Sequence, residues 1–126
     1  MPKAVIISTD GEKRVVEFEI GNSYKMLSEA VGGLIECVRL ADDLDMWVND
    51  NGLAEGLDQN PHGTRKYNDT FNAQHVIVGN IIFTGGADDE GETLGLSDTQ
   101  VQALVDCRER EFYTPMGFIK IDEHSL

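Results

Sequence analysis

The residues best suited to hold a small molecule are polar side chains beside turns and helix ends: Asn49, Asn60, His62, Arg65, Tyr67 and Asn80. Their amides, imidazole, guanidinium and phenol supply the few directional groups that fix a ligand in a cleft at strand ends. Turn formation and helix capping account for the asparagines equally well.

Other chemistries find less support. His62, His75 and His124 are scattered and lack the spacing of a zinc site. The run Asp88-Asp89-Glu90-Gly91-Glu92 offers oxygen ligands but not the alternating positions and closing glutamate of a calcium loop. Thr84-Gly85-Gly86 follows an apolar strand, where a phosphate loop would lie, yet acids follow it and no lysine does. Cys37 or Cys107 could meet His62 or His75 in space, but nothing local marks either thiol as activated. Both cysteines sit in apolar segments and read as structural, reduced thiols. No catalytic residue, metal site or cofactor is implied.

Charge is the most distinctive property. The 126-residue chain carries 23 acidic and 10 basic residues, a formal net charge of −13. Nucleic acid and anionic membranes would be repelled. A protein partner with a basic surface would be attracted. Glu17, Glu19, Asp42, Asp43, Asp45, Asp88, Asp89, Glu90 and Glu92 are the candidates for an acidic surface. Carboxylates on a rigid scaffold can imitate a phosphate array, so one expectation is charge mimicry toward a nucleic-acid-binding or defence protein. The other is binding or sequestration of a small, nucleotide-like ligand.

The elements that position these residues follow from pattern. The length suits one domain over residues 1–126, with 40% hydrophobic residues for its core. Ala4–Ser8 and Arg14–Ile20 read as a hairpin through Asp10-Gly11, both of whose turn residues are expected at positive φ. Val16, Phe18 and Ile20 form its apolar face and Glu17 and Glu19 its wet face. A helix over Tyr24–Val31, capped by Asn22 or Ser23, ends at Gly32-Gly33. Leu34–Leu40 and Leu44–Asn49 pair through Asp42-Asp43, and Glu36 stands oddly among apolar neighbours. Asn60-Pro61 opens a short helix to about Asn68. Val76–Phe83 reads as two short strands broken at Gly79-Asn80, or as one bulged strand. Thr84–Gly95 is an exposed acidic loop, and Ser97 to Gln100 a capping box opening a helix with Val101, Leu104 and Val105 inward. Phe112–Ile121 adds a last strand. The expected fold is α+β: a mostly antiparallel sheet of five or six strands with two or three short helices packed on it. An uncovered Trp47, or the terminal strand, would support a homodimer.

Several segments stand out together: Val31-Gly32-Gly33-Leu34-Ile35-Glu36, Trp47-Val48-Asn49 with Gly52, Gly56-Leu57, Asn60-Pro61, Val78-Gly79-Asn80, and Thr84-Gly85 through Gly95-Leu96. In this order the chain resembles a family of small phage, plasmid and bacterial proteins known as a DUF3846-like domain of unknown function. The resemblance spans roughly Ser23 to Asp106, so the two ends read as additions. It implies an accessory role in a phage or mobile element and supplies no catalytic or ligand-binding assignment. No secretory signature follows Met1 and no apolar run is long enough to span a bilayer, so a cytoplasmic protein is expected.

Overall fold

In the computed structural model, residues 1–106, 109–114 and 117–122 are described, with side chains through Asp106. Five strands form one sheet: β1 (Lys3–Ile7), β2 (Lys13–Glu17), β3 (Ile35–Ala41), β4 (Leu44–Asn49) and β5 (Ile81–Thr84). Their order is β2-β1-β5-β4-β3 and every pair is antiparallel. Three helices accompany them: α1 (Tyr24–Val31), α2 (Pro61–Phe71) and α3 (Asp98–Asp106). This is the expected α+β fold. The backbone of β6 (Glu109–Thr114) and β7 (Gly117–Asp122) forms a separate hairpin, where a single last strand was expected. Cys107 and His124 lie outside the described residues. Among those residues, no helix is long and apolar enough to cross a membrane.

Helices cover both faces of the sheet. Ala4, Ile6 and Ile82 point to one side, where Leu27 and Val31 of α1 meet them together with Phe18. Val5, Ile7, Met46, Val48, Ile81 and Phe83 point to the other, against Leu104 of α3 and Tyr67 of α2. This explains the unbroken apolar runs of β1 and β5. A strand buried on both faces has no solvated side on which to alternate. The two outer strands, β2 and β3, do mix half-buried and exposed positions.

Local chemistry sets the element boundaries. In the first turn only Gly11 takes positive φ, at 88°, and Asp10 does not. The loop has one residue more than a two-residue turn. Gly11 N–H donates to Ser8 O and Ser8 N–H to Glu12 O, which is a turn closed by a glycine bulge. The Ser8 hydroxyl and then the Glu12 N–H donate to the Asp10 carboxylate and hold it below the usual carboxylate range. The return strand stops at Glu17. Phe18 is buried and bonds back to Pro2 O, but Ile20 is exposed and leaves the apolar face.

Ser23 occupies the cap position of α1 without a side-chain bond, because its backbone is already helical. Gly32 closes that helix at φ 80°. The capping box of α3 is complete: Gln100 N–H donates to Ser97 Oγ, and Ser97 N–H to Gln100 Oε1. Val101 and Leu104 face inward, whereas Val105 is exposed. Val76–Val78 is no strand. It touches the rest of the molecule's backbone pairing through one isolated bridge, Gln59 to Val78, before Gly79 turns the chain at φ 80° into β5. Trp47 is half-buried against the α1 layer, where it was expected uncovered, and its indole N–H donates to Thr84 Oγ1 at 2.9 Å.

The Thr84–Gly95 segment is a tight miniature hairpin. Gly85 N–H donates to Leu94 O, Leu94 N–H to Gly86 O and Asp88 N–H to Glu92 O. Gly85 is required there, since a Cβ would stand 2.0 Å from Gly95 O. Gly85→Ala should therefore cost several kcal/mol in urea unfolding, among the larger single-site losses. Gly91→Ala, with open space but φ 81°, should cost about 1–2 kcal/mol. Equal losses for the two would contradict the contact.

Candidate functional site

The antiparallel order divides the loops between the two ends of the sheet. At one end lie the β1–β2 turn, the entry to β3, the exit of β4 and the entry to β5. Asn49, Asn60 and Asn80 belong to this end. At the other end lie the exit of β2, the β3–β4 turn and the segment after β5. Glu17, Glu19, Asp42, Asp43, Asp88, Asp89, Glu90 and Glu92 belong to that one.

The asparagines are occupied by the fold. Asn60 is fully buried. Its amide NH₂ donates to Ile7 O at 3.0 Å and Gly79 O at 2.9 Å, while its Oδ1 accepts from Gly63 N–H at 3.0 Å. One side chain thus caps α2 and ties it to β1 and to the turn before β5. Gly63 lets the helix approach, because a Cβ there would meet Ile81 Cδ1 at 2.9 Å. Asn49 donates to Val31 O at 3.2 Å and accepts from Asn51 N–H at 2.8 Å, joining β4 to the end of α1. Asn80 is exposed, and its Oδ1 accepts from Thr9 N–H at 3.3 Å.

The remaining members of that set do not converge with them. His62 is buried on the opposite face from Asn49, its ring edge-on to Phe83 at 6.1 Å. Arg65 pairs with Asp69 one turn along α2 at 3.5 Å. Tyr67 packs on Phe71 at 4.8 Å and His75 at 5.3 Å. The sheet and helix spread these groups over separate surroundings: Asn49 lines a cleft beside β3 and Asn80 a separate hollow, while His62 packs on the opposite face.

A cleft of about 330 Å³ does open at this end, beside β3. Its walls include Glu36, Asp50, Asn51, Leu53, Val76 and Val78. Asn49, a candidate of the sequence, lines it too, and Glu36 carried a signal there as a carboxylate among apolar neighbours. Leu53 and Val76 read there as ordinary loop and strand residues, yet they are 75% and 50% exposed. Among the described residues, no lysine or arginine lines this cleft, and none lines the 300 Å³ hollow walled by Glu29, Asp58 and Asn80. A phosphate-bearing ligand would be repelled from both. Among the described residues, no group of three histidines, cysteines or carboxylates is placed to hold a metal ion.

The acidic end is more coherent. Glu17 stands opposite Lys3 at the exit of β2. A Cβ on Gly86 would lie 2.6 Å from Asp42 O and 3.3 Å from Asp43 Cα, so the miniature hairpin seats directly on the β3–β4 turn. Gln100 of α3 donates to Asp43 O at 2.9 Å and fixes the turn from the other side. Gly21, just after Glu19, approaches Glu92, whose Oε2 would lie 3.8 Å from a Cβ there. The Asp88 carboxylate accepts from Glu90 N–H and Glu92 N–H, which orders the tip. Asp45 does not join this surface. It is 1% exposed, and Arg39 donates to it through two nitrogens at 2.9 and 3.2 Å. Strand alternation turns Asp45 inward beside Trp47, and the arginine covers it.

Cys37 is free and lies on β3. Desolvation, and next the Asp45 carboxylate, push its thiol up to about 11. The raised value leaves the neutral thiol dominant through the physiological range.

The family model described as a domain of unknown function, DUF3846, matches residues 2–110, and the chain belongs to that family. The match begins in β1, so the first hairpin is part of the family domain and not an addition before Ser23. No curated protein and no solved structure matches the chain.

Two outcomes follow. Asn60→Ala should destabilise the protein by about 3 kcal/mol, since buried carbonyls lose their donors and α2 loses its cap. Asn60→Asp should be at least as harmful in denaturant melts, although aspartate caps helices well, because a carboxylate would face Ile7 O and Gly79 O. A tolerated aspartate would reduce Asn60 to a cap. For Cys37, alkylation mapped by mass spectrometry should rise with pH toward about 11. At pH 8 the thiolate fraction should be roughly a hundredfold below that of an unshifted thiol.

Proposed function

We propose that this member of the DUF3846 family acts by protein–protein interaction, through the acidic end of its sheet, on a partner with a basic surface. The observation that carries this reading is the gathering of carboxylates from three separate stretches at one end. Glu17 and Glu19 come from the exit of β2, Asp42 and Asp43 from the β3–β4 turn, and Asp88 to Glu92 from the miniature hairpin. Backbone bonds hold all three stretches, so the charges are presented on a fixed frame and little ordering entropy is lost on binding.

A frame of this kind suits a surface that otherwise meets phosphates. The partner is then a nucleic-acid-binding or defence protein of the host, and occupation of its groove inhibits it. That fits an accessory protein of the kind carried by phages and mobile elements. Electrostatic attraction would speed the encounter and weaken with salt.

The test is capture of partners from host lysate by the tagged chain at low and high salt. The captured protein should bind DNA, be released by added duplex DNA, and fall at least tenfold at high salt. The quadruple variant D42N/D43N/D89N/E90Q should lose capture at low salt while its melting temperature is kept. Capture that survives both high salt and this variant would refute the electrostatic reading.

A further inference from the structure

We propose a second docking surface, at the opposite end from the acidic frame: the open edge of β3 with its adjoining cleft takes an extended peptide segment bearing lysine or arginine. The backbone register defines the edge. Asp50 N–H donates to Leu34 O at 2.8 Å, and Ile35 pairs with Asn49. The hydrogen-bonded pairs are therefore Leu34/Asp50, Glu36/Val48 and Val38/Met46. The N–H and C=O groups of Ile35, Cys37 and Arg39 point away from β4, and β3 is the last strand of its sheet. No backbone or side-chain bond reaches them among the described residues.

Natural sheets usually blunt such an edge with charge or a bulge. Here the bulge lies between Arg39 and Ala41, at the far end of the strand. The stretch from Ile35 to Cys37 has no bulge, its one charge, Glu36, is turned to the cleft, and a partner strand can add to it through main-chain bonds.

The cleft supplies the side-chain preference. Glu36 lies on the same face as Val38 and Val48, which is the face into which the cleft opens. A strand laid along β3 places every second side chain there. Glu36 and Asp50 provide negative charge, Leu53 and Val76 provide exposed apolar surface, and among the described residues no lysine or arginine lines the walls. A lysine or arginine fits this combination, since its methylene stem covers apolar surface while its head meets carboxylate.

The experiment uses the full chain labelled with ¹⁵N, titrated with a synthetic peptide of alternating valine and lysine and with its valine–glutamate counterpart. The lysine peptide should shift the amides of Ile35, Cys37, Arg39 and Leu53, and the glutamate peptide should not. Glu36→Lys should weaken the lysine peptide at least tenfold. Cys37→Pro should abolish binding, because it removes one outward N–H at a position where an edge strand accepts proline. If Cys37→Pro fails to fold by circular dichroism, Glu36→Lys decides alone. Shifts confined to Asp42, Asp43 and Asp88 to Glu92 would mean simple charge attraction and would overturn the assignment. So would equal binding by Glu36→Lys, no binding of the lysine peptide, or a concentration-dependent homodimer paired through β3. The quadruple variant of the acidic end should bind the lysine peptide normally, which separates this surface from that one.

Discussion

The buried amide of Asn60 is the interaction on which the rest of the arrangement depends. It has no exposure, and its donors and acceptor are all engaged. Through Ile7 O it holds the exit of β1, through Gly79 O the entry of β5, and through Gly63 N–H the first turn of α2. Ile77 O accepts from the Asn60 backbone and from the Thr64 hydroxyl, so the irregular segment before β5 is fixed to the same point. A non-regular segment buried beside a sheet needs partners for its peptide groups. This one residue and its helix supply them. With α2 seated, one face of β5 is closed, and the two central strands can be apolar on both sides.

The consequence for the surface is a division of labour between the ends of the sheet. One end spends its polar residues on internal bonds and leaves a modest cleft with an apolar rim. The other spends little on internal side-chain bonding and displays carboxylates on loops fixed through their backbones. The exception is instructive. Asp45 belongs by sequence to the acidic turn, yet Arg39, directly opposite it on β3, claims it, and a buried carboxylate with a bidentate partner no longer contributes to an exposed field.

Much of this was legible before any coordinates. Helix α1, strand β4 and the β3–β4 hairpin follow from periodicity and turn chemistry that act within a few residues. So does the start of α2, because asparagine followed by proline has both a cap and a first-turn residue with no donor to lose. What escaped depends on distant partners. Val76–Val78 has strand composition, but its backbone bridges Gln59 and bonds to the start of α2 without meeting a strand, so no ladder forms among the described residues. The β2 strand is shorter than its alternation because β1 ends at Lys3 and leaves Glu19 and Ile20 unpaired with it. The polar set around Asn49, Asn60 and His62 was recognised by residue type. Whether such groups meet in a pocket is decided by which face of the sheet each one takes, and that is a property of the whole fold. The cleft beside β3 was signalled by Asn49 and Glu36, while the exposure of Leu53 and Val76 has no local signature.

The strand order also bears on how the chain is made. β1 is synthesised well before β5, yet it sits in the interior of the sheet between β2 and β5. Its start is closed by Leu96, whose N–H donates to Lys3 O at 2.8 Å. At about 5–20 residues per second, the ribosome needs several seconds to deliver β5 and the miniature hairpin after β1 has emerged. During that interval Ala4 to Ile7 has only β2 beside it, and one whole edge of its backbone is open. Until β5 arrives, the hairpin carries an open backbone edge of the kind that pairs with other strands. Its neighbours Lys3, Lys13 and Arg14 carry charge at both ends of that segment, which gives the waiting hairpin some protection against pairing with another nascent chain.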